Sequence, residues 1–291
     1  MDVDGMQCRP IYVEEFNVTI LEATAEQQDI LVGWALMEDD DDDNNNDSLT
    51  AALMTDHPLP SGDPYGAVLW PAARTLARHI VGKIQGKRVW EVGVGTGLVS
   101  MAVAQAGASY VYATDYETVP LQLLTYAATH INGLSVVDKR STSEDVSRGP
   151  VDESTTTGLI ETSVWDVCNC SRQELPDADI MVVADLLYEP PTGVALAHLV
   201  VRALQSGISV VVADSPGRAG RPAFLETLRP FLHPEESSKA EDVDFVTVVG
   251  STVTGKRNDL ICGRGSTSVS ATEKPLPIAL LELDPSMLAM V

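Results

Sequence analysis

The chain has 291 residues, 44% of them hydrophobic, and a formal net charge of −23. That is enough apolar content for a buried core in one large or two small domains. The charge disfavours general binding to phosphate backbones and favours long-range attraction of basic partners. No uncharged apolar run is long enough to cross a bilayer and the acidic start is unlike a secretory signal, so a cytoplasmic or nuclear protein with no membrane and no nucleic-acid partner is expected. Cys8, Cys168, Cys170 and Cys262 are too few and scattered for a disulfide framework, and the lone "CNC" pair at 168–170 lacks the further ligands a metal site requires.

Residues 1–66 hold 16 acidic residues against the single basic Arg9. Residues 9–36 alternate or run apolar, which predicts one or two strands. Glu38–Asp47, "EDDDDDNNND", reads as a solvated disordered loop, and His57–Gly66 as a linker rich in proline and glycine. The division expected is an acidic N-terminal extension over 1–65, with disorder at 38–48, followed by a second domain over 66–291.

From Pro71 the pattern alternates between helix and strand. Pro71–Ile84 is predicted helical, Arg88–Val92 a buried strand, Leu98–Ala106 a helix of small residues, Tyr110–Thr114 a strand and Glu117–Asn132 a helix. Residues 138–157 carry almost no apolar side chains and read as a surface insertion. Strands are predicted over Gly158–Trp165, Asp179–Tyr188 and Ile208–Asp214, with helices over Val194–Gln205 and Pro222–Phe231. Asp244–Val253 and Leu276–Asp284 add two late strands without a helix between them. Short apolar strands alternating with helices predict an α/β, doubly wound, mainly parallel sheet with an antiparallel edge.

The chemistry concentrates in "RVWEVGVGTGLVSMAVAQAGASYVYATD", Arg88–Asp115. In a doubly wound sheet, ligands bind beyond the carboxyl ends of the strands at the switch point. Gly93, Gly95 and Gly97 leave bare backbone there, and Asp115 ends the next strand where a carboxylate can accept from both hydroxyls of a ribose. An adenosine-containing cofactor follows. A dinucleotide fingerprint would need its third glycine at Leu98, one residue later than Gly97. Glu91 before the turn and the E-x-G-x-G-x-G spacing instead match S-adenosylmethionine-dependent methyltransferases.

"AVLWPAARTLARHI", the glycine segment, "VWDV" and "DIMVVADLLYEP" together resemble the seven-strand methyltransferases of family 16, over roughly residues 66–215. That family consists mainly of protein-lysine methyltransferases. Its D-x-x-Y signature matches Asp185-Leu-Leu-Tyr188. The resemblance implies a Rossmann-like methyltransferase fold and S-adenosylmethionine as cofactor. It implies cofactor contacts at Trp70, Gly93, Gly95, Asp115, Trp165 and Ala184, with Asp185 and Tyr188 as catalytic groups at the acceptor aperture. Glu91 and Gly97 complete the cofactor-binding set. The acceptor expected is a protein with a basic surface, and the enzyme a monomer.

Read from the residues alone, the alternatives are Trp165 as a core tryptophan, Asp166 as the cap of a turn, Asp185 as a buried aspartate satisfied by backbone and Trp70 as a staple at a helix entry. "VVADSPGRAGRPAF", Val211–Phe224, is similar to family members that modify an electron-transfer flavoprotein and carry a D-P-x-R turn, but Ser215 here separates Asp214 from Pro216. The rival functions are a small-molecule N-methyltransferase, an NAD(P)-linked oxidoreductase and a catalytically silent binding module.

Overall fold

The structure, a computed structural model, describes residues 1–30, 66–139, 158–171, 173–215, 217–233, 249–251 and 276–289. The acidic loop at 38–48 and nearly all of the linker and of the insertion lie outside these residues, as does most of the strand expected over Asp244–Val253.

Three antiparallel strands open the chain: β1 (Asp2–Val3), β2 (Met6–Val13) and β3 (Val18–Ala23). They exceed the one or two expected. Residues 25–30 are helical, so the apolar run beginning at Asp29 starts in a helix rather than a strand. The β2–β3 connection is a 3₁₀ turn closed by Asn17 at φ 53°.

Helix α1 (Pro71–Ile80) follows, then β4 (Arg88–Val92), α2 (Leu98–Gln105), β5 (Tyr110–Asp115) and α3 (Thr118–Tyr126). The short β6 (Val136–Asp138) precedes β7 (Leu159–Val164), β8 (Ile180–Ala184), α4 (Pro190–Gln205), β9 (Ser209–Asp214) and α5 (Arg221–Leu228). β10 (Val249–Ser251) and β11 (Leu276–Leu283) close the series. Helix α4 begins four residues before the apolar periodicity predicts, because Pro190 and Pro191 occupy its first turn, where proline removes no helical hydrogen bond.

The main sheet has the order β10-β11-β9-β8-β4-β5-β7-β6. The six strands from β9 to β6 run parallel; β11 pairs antiparallel with β9, and β10 antiparallel with β11. Seven of these strands are those expected, with the antiparallel edge in place. The eighth, β6, is too short and half-buried to register as an apolar run.

Alternation along the strands builds two cores. Val89, Val182 and Val211 face one side and pack with Leu76 and Ile80 of α1, Leu98 and Met101 of α2, and Leu121 and Leu124 of α3. Trp90, Met181, Val183, Val210 and Val212 face the other, with Leu196 and Val200 of α4 and Phe224 of α5. Every central strand is thus covered on both sides, the condition under which parallel sheets occur. The chain leaves β4 through β5 and β7 in one direction and returns through β8 and β9 in the other. The crevice this reversal opens lies beyond the carboxyl ends of β4, β5 and β8.

The N-terminal strands share the first of these cores through Val3, Met6, Val18 and Ile20. Asn132, just past a single π-helical turn at Ala127–Ile131, accepts from the Thr19 amide at 2.8 Å and donates to the Thr19 carbonyl at 2.7 Å. One side-chain amide therefore stands in for a strand partner on the β3 edge. Glu22 of β3 accepts from the Leu69 amide at 3.0 Å, fixing the chain immediately before Trp70.

Candidate cofactor and acceptor site

The turn after β4 is held by backbone pairing: the amides of Gly93 and Val94 donate to the Thr114 carbonyl at 2.8 and 3.1 Å. Gly93, Gly95 and Gly97 sit at φ 77°, 49° and 76°, the left-handed region in which a Cβ is strained. Their surroundings separate their roles. A Cβ on Gly93 would come within 2.9 Å of a Leu186 methyl, and one on Gly97 within 2.5 Å of a Leu124 methyl. A Cβ on Gly95 would meet nothing closer than 3.5 Å. Packing reinforces the need for glycine at Gly97, where the Leu124 Cβ also lies within 3.0 Å, whereas at Gly93 only the tip of Leu186 would have to move and at Gly95 the nearest atom is the Gly66 carbonyl oxygen at 3.5 Å.

Asp115, 5% exposed, is aimed by that turn. Its Oδ2 accepts from the Gly95 amide at 3.2 Å and its Oδ1 from the Glu117 amide at 3.1 Å, while its carbonyl takes the Trp165 amide at 2.8 Å. The carboxylate, the bare Gly95 backbone and the start of the Trp165 segment therefore meet at the adjoining ends of β4, β5 and β7. A carboxylate, an open glycine backbone and an indole form a donor and surface set suited to a ribose and an adenine, so the residues present fit an adenosine-bearing cofactor.

Glu91 lies beneath the turn rather than in it. It is 1% exposed and accepts from the Ser100 amide at 2.8 Å and from the Ser100 hydroxyl. Ser100 is in the first turn of α2, where amides lack helical partners, so Glu91 completes that helix start. Burial pushes its pKa up to about 8 against the pull of the Ser100 bonds, and Asp115 adds to the rise.

Trp165 is half-buried, edge-on to Trp90 with ring centroids 5.2 Å apart. Trp90 in turn donates to the Thr114 hydroxyl at 3.0 Å. Among the described residues the buried Trp165 Nε1 has no hydrogen-bond partner of normal geometry; the Cys170 thiol is its polar neighbour, its pKa raised by burial and held back by the indole. Asp166 caps the loop that follows, accepting from the Cys168 amide at 2.8 Å and Asn169 Nδ2 at 2.5 Å. That is the turn-capping alternative open in the sequence.

Across the crevice, Ala184 ends β8 in register with Ala213 of β9. Asp185 then leaves the strand at φ 56°, which stops β8 earlier than its apolar run suggests. The Asp185 carboxylate is turned to protein donors on both oxygens. Oδ1 accepts from the Ser215 amide at 2.7 Å and from Arg218 Nε at 2.9 Å, with Arg218 Nη2 in ion-pair contact at 2.9 Å. Oδ2 accepts from the Ala72 amide at 3.1 Å and the Ser215 hydroxyl at 2.8 Å. Arg218 also lies over the Trp70 ring, 4.6 Å from its centroid. Trp70 is the residue that opens α1, in extended conformation before Pro71. Tyr188 is half-buried, two residues before α4.

One residue along β9, Asp214 is 1% exposed and pairs with Arg221 at 2.9 Å. Burial pushes its pKa up to about 7, opposed by Arg221 and reinforced by Asp185. Ser215, Arg218, Asp214 and Arg221 were not expected at the site. Their sequence signal is the D-S-P-G-R-A-G-R stretch, Asp214–Arg221, which departs from the D-P-x-R turn. A separate surface depression of about 530 Å³, lined by Glu174, Pro176, Asp177, Arg202 and Ile208 among others, lies at the opposite, amino ends of β8 and β9, away from this chemistry. Among the described residues no group of three His, Cys, Asp or Glu could hold a metal, and no helix is long and apolar enough to cross a membrane.

Residues 60–139 match the sequence model of a family described as lysine methyltransferase. That stretch contains Trp70, Glu91, the three glycines and Asp115. The electron transfer flavoprotein beta subunit lysine methyltransferase of Xenopus laevis is 26% identical over 163 residues, covering 55% of each chain. The human protein of that name is 32% identical over 69 residues, covering 23% of this chain and 26% of its own. The matches thus span about half or less of these relatives' lengths. Ubiquinone biosynthesis O-methyltransferase of Actinobacillus pleuropneumoniae is 28% identical over 153 residues, 52% of this chain and 62% of that one. Among solved structures, TrmN from Thermus thermophilus aligns with a TM-score of 0.37 at 21% identity, over 62% of this chain and 48% of that one. The fold assignment rests on the strand order itself.

Proposed function

We propose that this chain transfers a methyl group from S-adenosylmethionine to a lysine side chain of a protein. The observation that carries the proposal is the open Gly95 backbone held against the Asp115 carboxylate at the switch point, within the segment that matches the lysine methyltransferase family. When bound, the cofactor supplies a methyl group on a sulfonium, whose neutral thioether leaves without needing a strong acid.

The chain's own residues bind and orient. Asp115 accepts from the ribose hydroxyls and Gly95 allows the cofactor against the backbone. Gly93, Gly97 and Glu91 hold the turn's shape, Trp165 flanks the base, and Trp70 and Ala184 border the reacting end. Asp185 and Tyr188 frame the acceptor aperture. A lysine amine must lose its proton before attack, and a narrow aromatic aperture promotes this by desolvating the ammonium. Holding amine and methyl close and in line supplies several kcal/mol. The acidic surface favours a basic acceptor protein, and the enzyme acts as a monomer in the cytoplasm or nucleus.

The test is incubation of a cell extract with labelled S-adenosylmethionine and the purified chain, followed by identification of the labelled protein. The β subunit of an electron-transfer flavoprotein is the first purified acceptor to try, because the Xenopus and human relatives are named for it. Label on a lysine of a protein is the expected result. Label confined to a small amine, or tight NADH binding, would overturn the proposal.

A further inference from the structure

Asp185 is the residue that the D-x-x-Y signature marks as the partner of an incoming amine, yet its geometry here is that of a group already provided for. An ionised carboxylate offers about four acceptor positions. Four hydrogen-bond donors converge on Asp185, one from Ala72, two from Ser215 and the Arg218 Nε, and a second guanidinium nitrogen of Arg218 lies 2.9 Å from Oδ1. One of these donors belongs to a cation paired with the carboxylate, and that cation also covers the face of Trp70. The Asp185 side chain is 1% exposed and that of Arg218 16%, so the pair is shielded from solvent. Among the described residues, Asp214 at the end of β9 also acts on this region, coupled to Asp185 and paired with Arg221 at the start of α5.

Resting on the methyl-transfer reading of this site, we propose that Arg218 is a positioning residue, the permanent counter-ion of Asp185 and the clamp that fixes the Trp70 ring at the aperture. The incoming lysine then does not displace Arg218. An ammonium seated on a bare buried carboxylate would be held in its protonated, unreactive form, since an opposite charge within a few ångström favours the charged state. With Arg218 in place the aperture has no net charge from Asp185, and the amine can lose its proton near neutral pH. The same carboxylate also accepts from the Ala72 amide, the first N–H of α1 after Pro71, so Trp70 is fixed through the backbone that follows it and through its ring. Arginine suits both tasks, because its planar group stacks on an indole while its edge nitrogens donate to a carboxylate.

Two measurements on the full chain test this, using Arg218→Gln and Arg218→Lys. The first is tryptophan fluorescence, with the Trp70 contribution isolated by subtracting the spectrum of a matched Trp70→Phe protein. Both Arg218 substitutions should change the Trp70 emission, because neither replacement stacks on the ring as a guanidinium does. Unchanged Trp70 emission in both would overturn the clamp. The second is the pH dependence of methyl incorporation from labelled S-adenosylmethionine into protein of one cell extract. In Arg218→Gln the rising limb should move up by about one pH unit or more, as the bare carboxylate raises the amine's pKa. In Arg218→Lys, which keeps the charge, it should stay near that of the unsubstituted protein. Normalised profiles that superimpose for all three proteins would overturn the counter-ion role. An unsubstituted protein that labels no protein defeats the methyl-transfer proposal instead, and the fluorescence result then decides the clamp alone.

Discussion

Replacing Glu91 by glutamine should make the protein more stable at neutral pH and flatten the dependence of its stability on pH. Glu91 is fully buried beneath the glycine turn, and its pKa rises from 4.5 to about 8. Between these two values the folded protein holds a proton that the unfolded chain has released, so stability must fall as pH rises. The contribution is fully present below pH 4.5 and is lost as pH passes through about 8. At pH 7 the loss covers roughly two to three pH units at about 1.4 kcal/mol each, or about 3 kcal/mol. Glutamine is neutral throughout and keeps an oxygen for the Ser100 amide, so it should recover most of that amount. Asp214 adds a slope of the same sign, with a pKa raised to about 7, but it is present in both proteins and cancels in the difference. Urea denaturation at pH 5, 6, 7 and 8 measures the two curves. They should converge at pH 5 and diverge steadily above it. Parallel curves would show that Glu91 ionises normally where it lies, and the account of its burial would be wrong.

Asp115→Ala should weaken S-adenosylmethionine binding by roughly five- to hundredfold, because ribose hydroxyls would lose about 1–3 kcal/mol of hydrogen bonding; calorimetry showing unchanged affinity would remove this residue from the site. Gly97→Ala places a Cβ at φ 76° and 2.5 Å from a Leu124 methyl, so unfolding should become easier by roughly 2–4 kcal/mol, and equal urea midpoints would contradict the strain. Asn132→Ala leaves the Thr19 amide and carbonyl without their side-chain partner; a loss of about 1–3 kcal/mol and faster hydrogen exchange at Thr19 are expected, and unchanged exchange there would show the strand is held by packing alone. Deleting Glu38–Asp47 should slow association with a basic acceptor protein at low salt and matter less as salt rises. A salt-independent defect would point to a role other than electrostatic steering.

Local spacing settled much of this protein in advance. Period-two and period-3.6 apolar patterns located the central strands and helices, because each reports which face of one element is buried. Three alternate glycines and an aspartate at the next strand's end were legible as neighbours at the crevice, because backbone conformation and strand ends are local properties. The tertiary structure decided what distant residues do to one another. Asp185 takes donors from Ala72, 113 residues away, and from Arg218, 33 residues away. Asn132 completes the edge of a strand 113 residues before it. Glu91 is bonded to the start of the next helix, and side chains at Gly93 and Gly97 would run into Leu186 and Leu124, while a Cβ at Gly95 would meet no atom closer than 3.5 Å. No periodicity encodes such pairings, since a carboxylate reads the same in sequence whether water, an arginine or a substrate amine will meet it. Packing brings one of these partners to it and excludes the others.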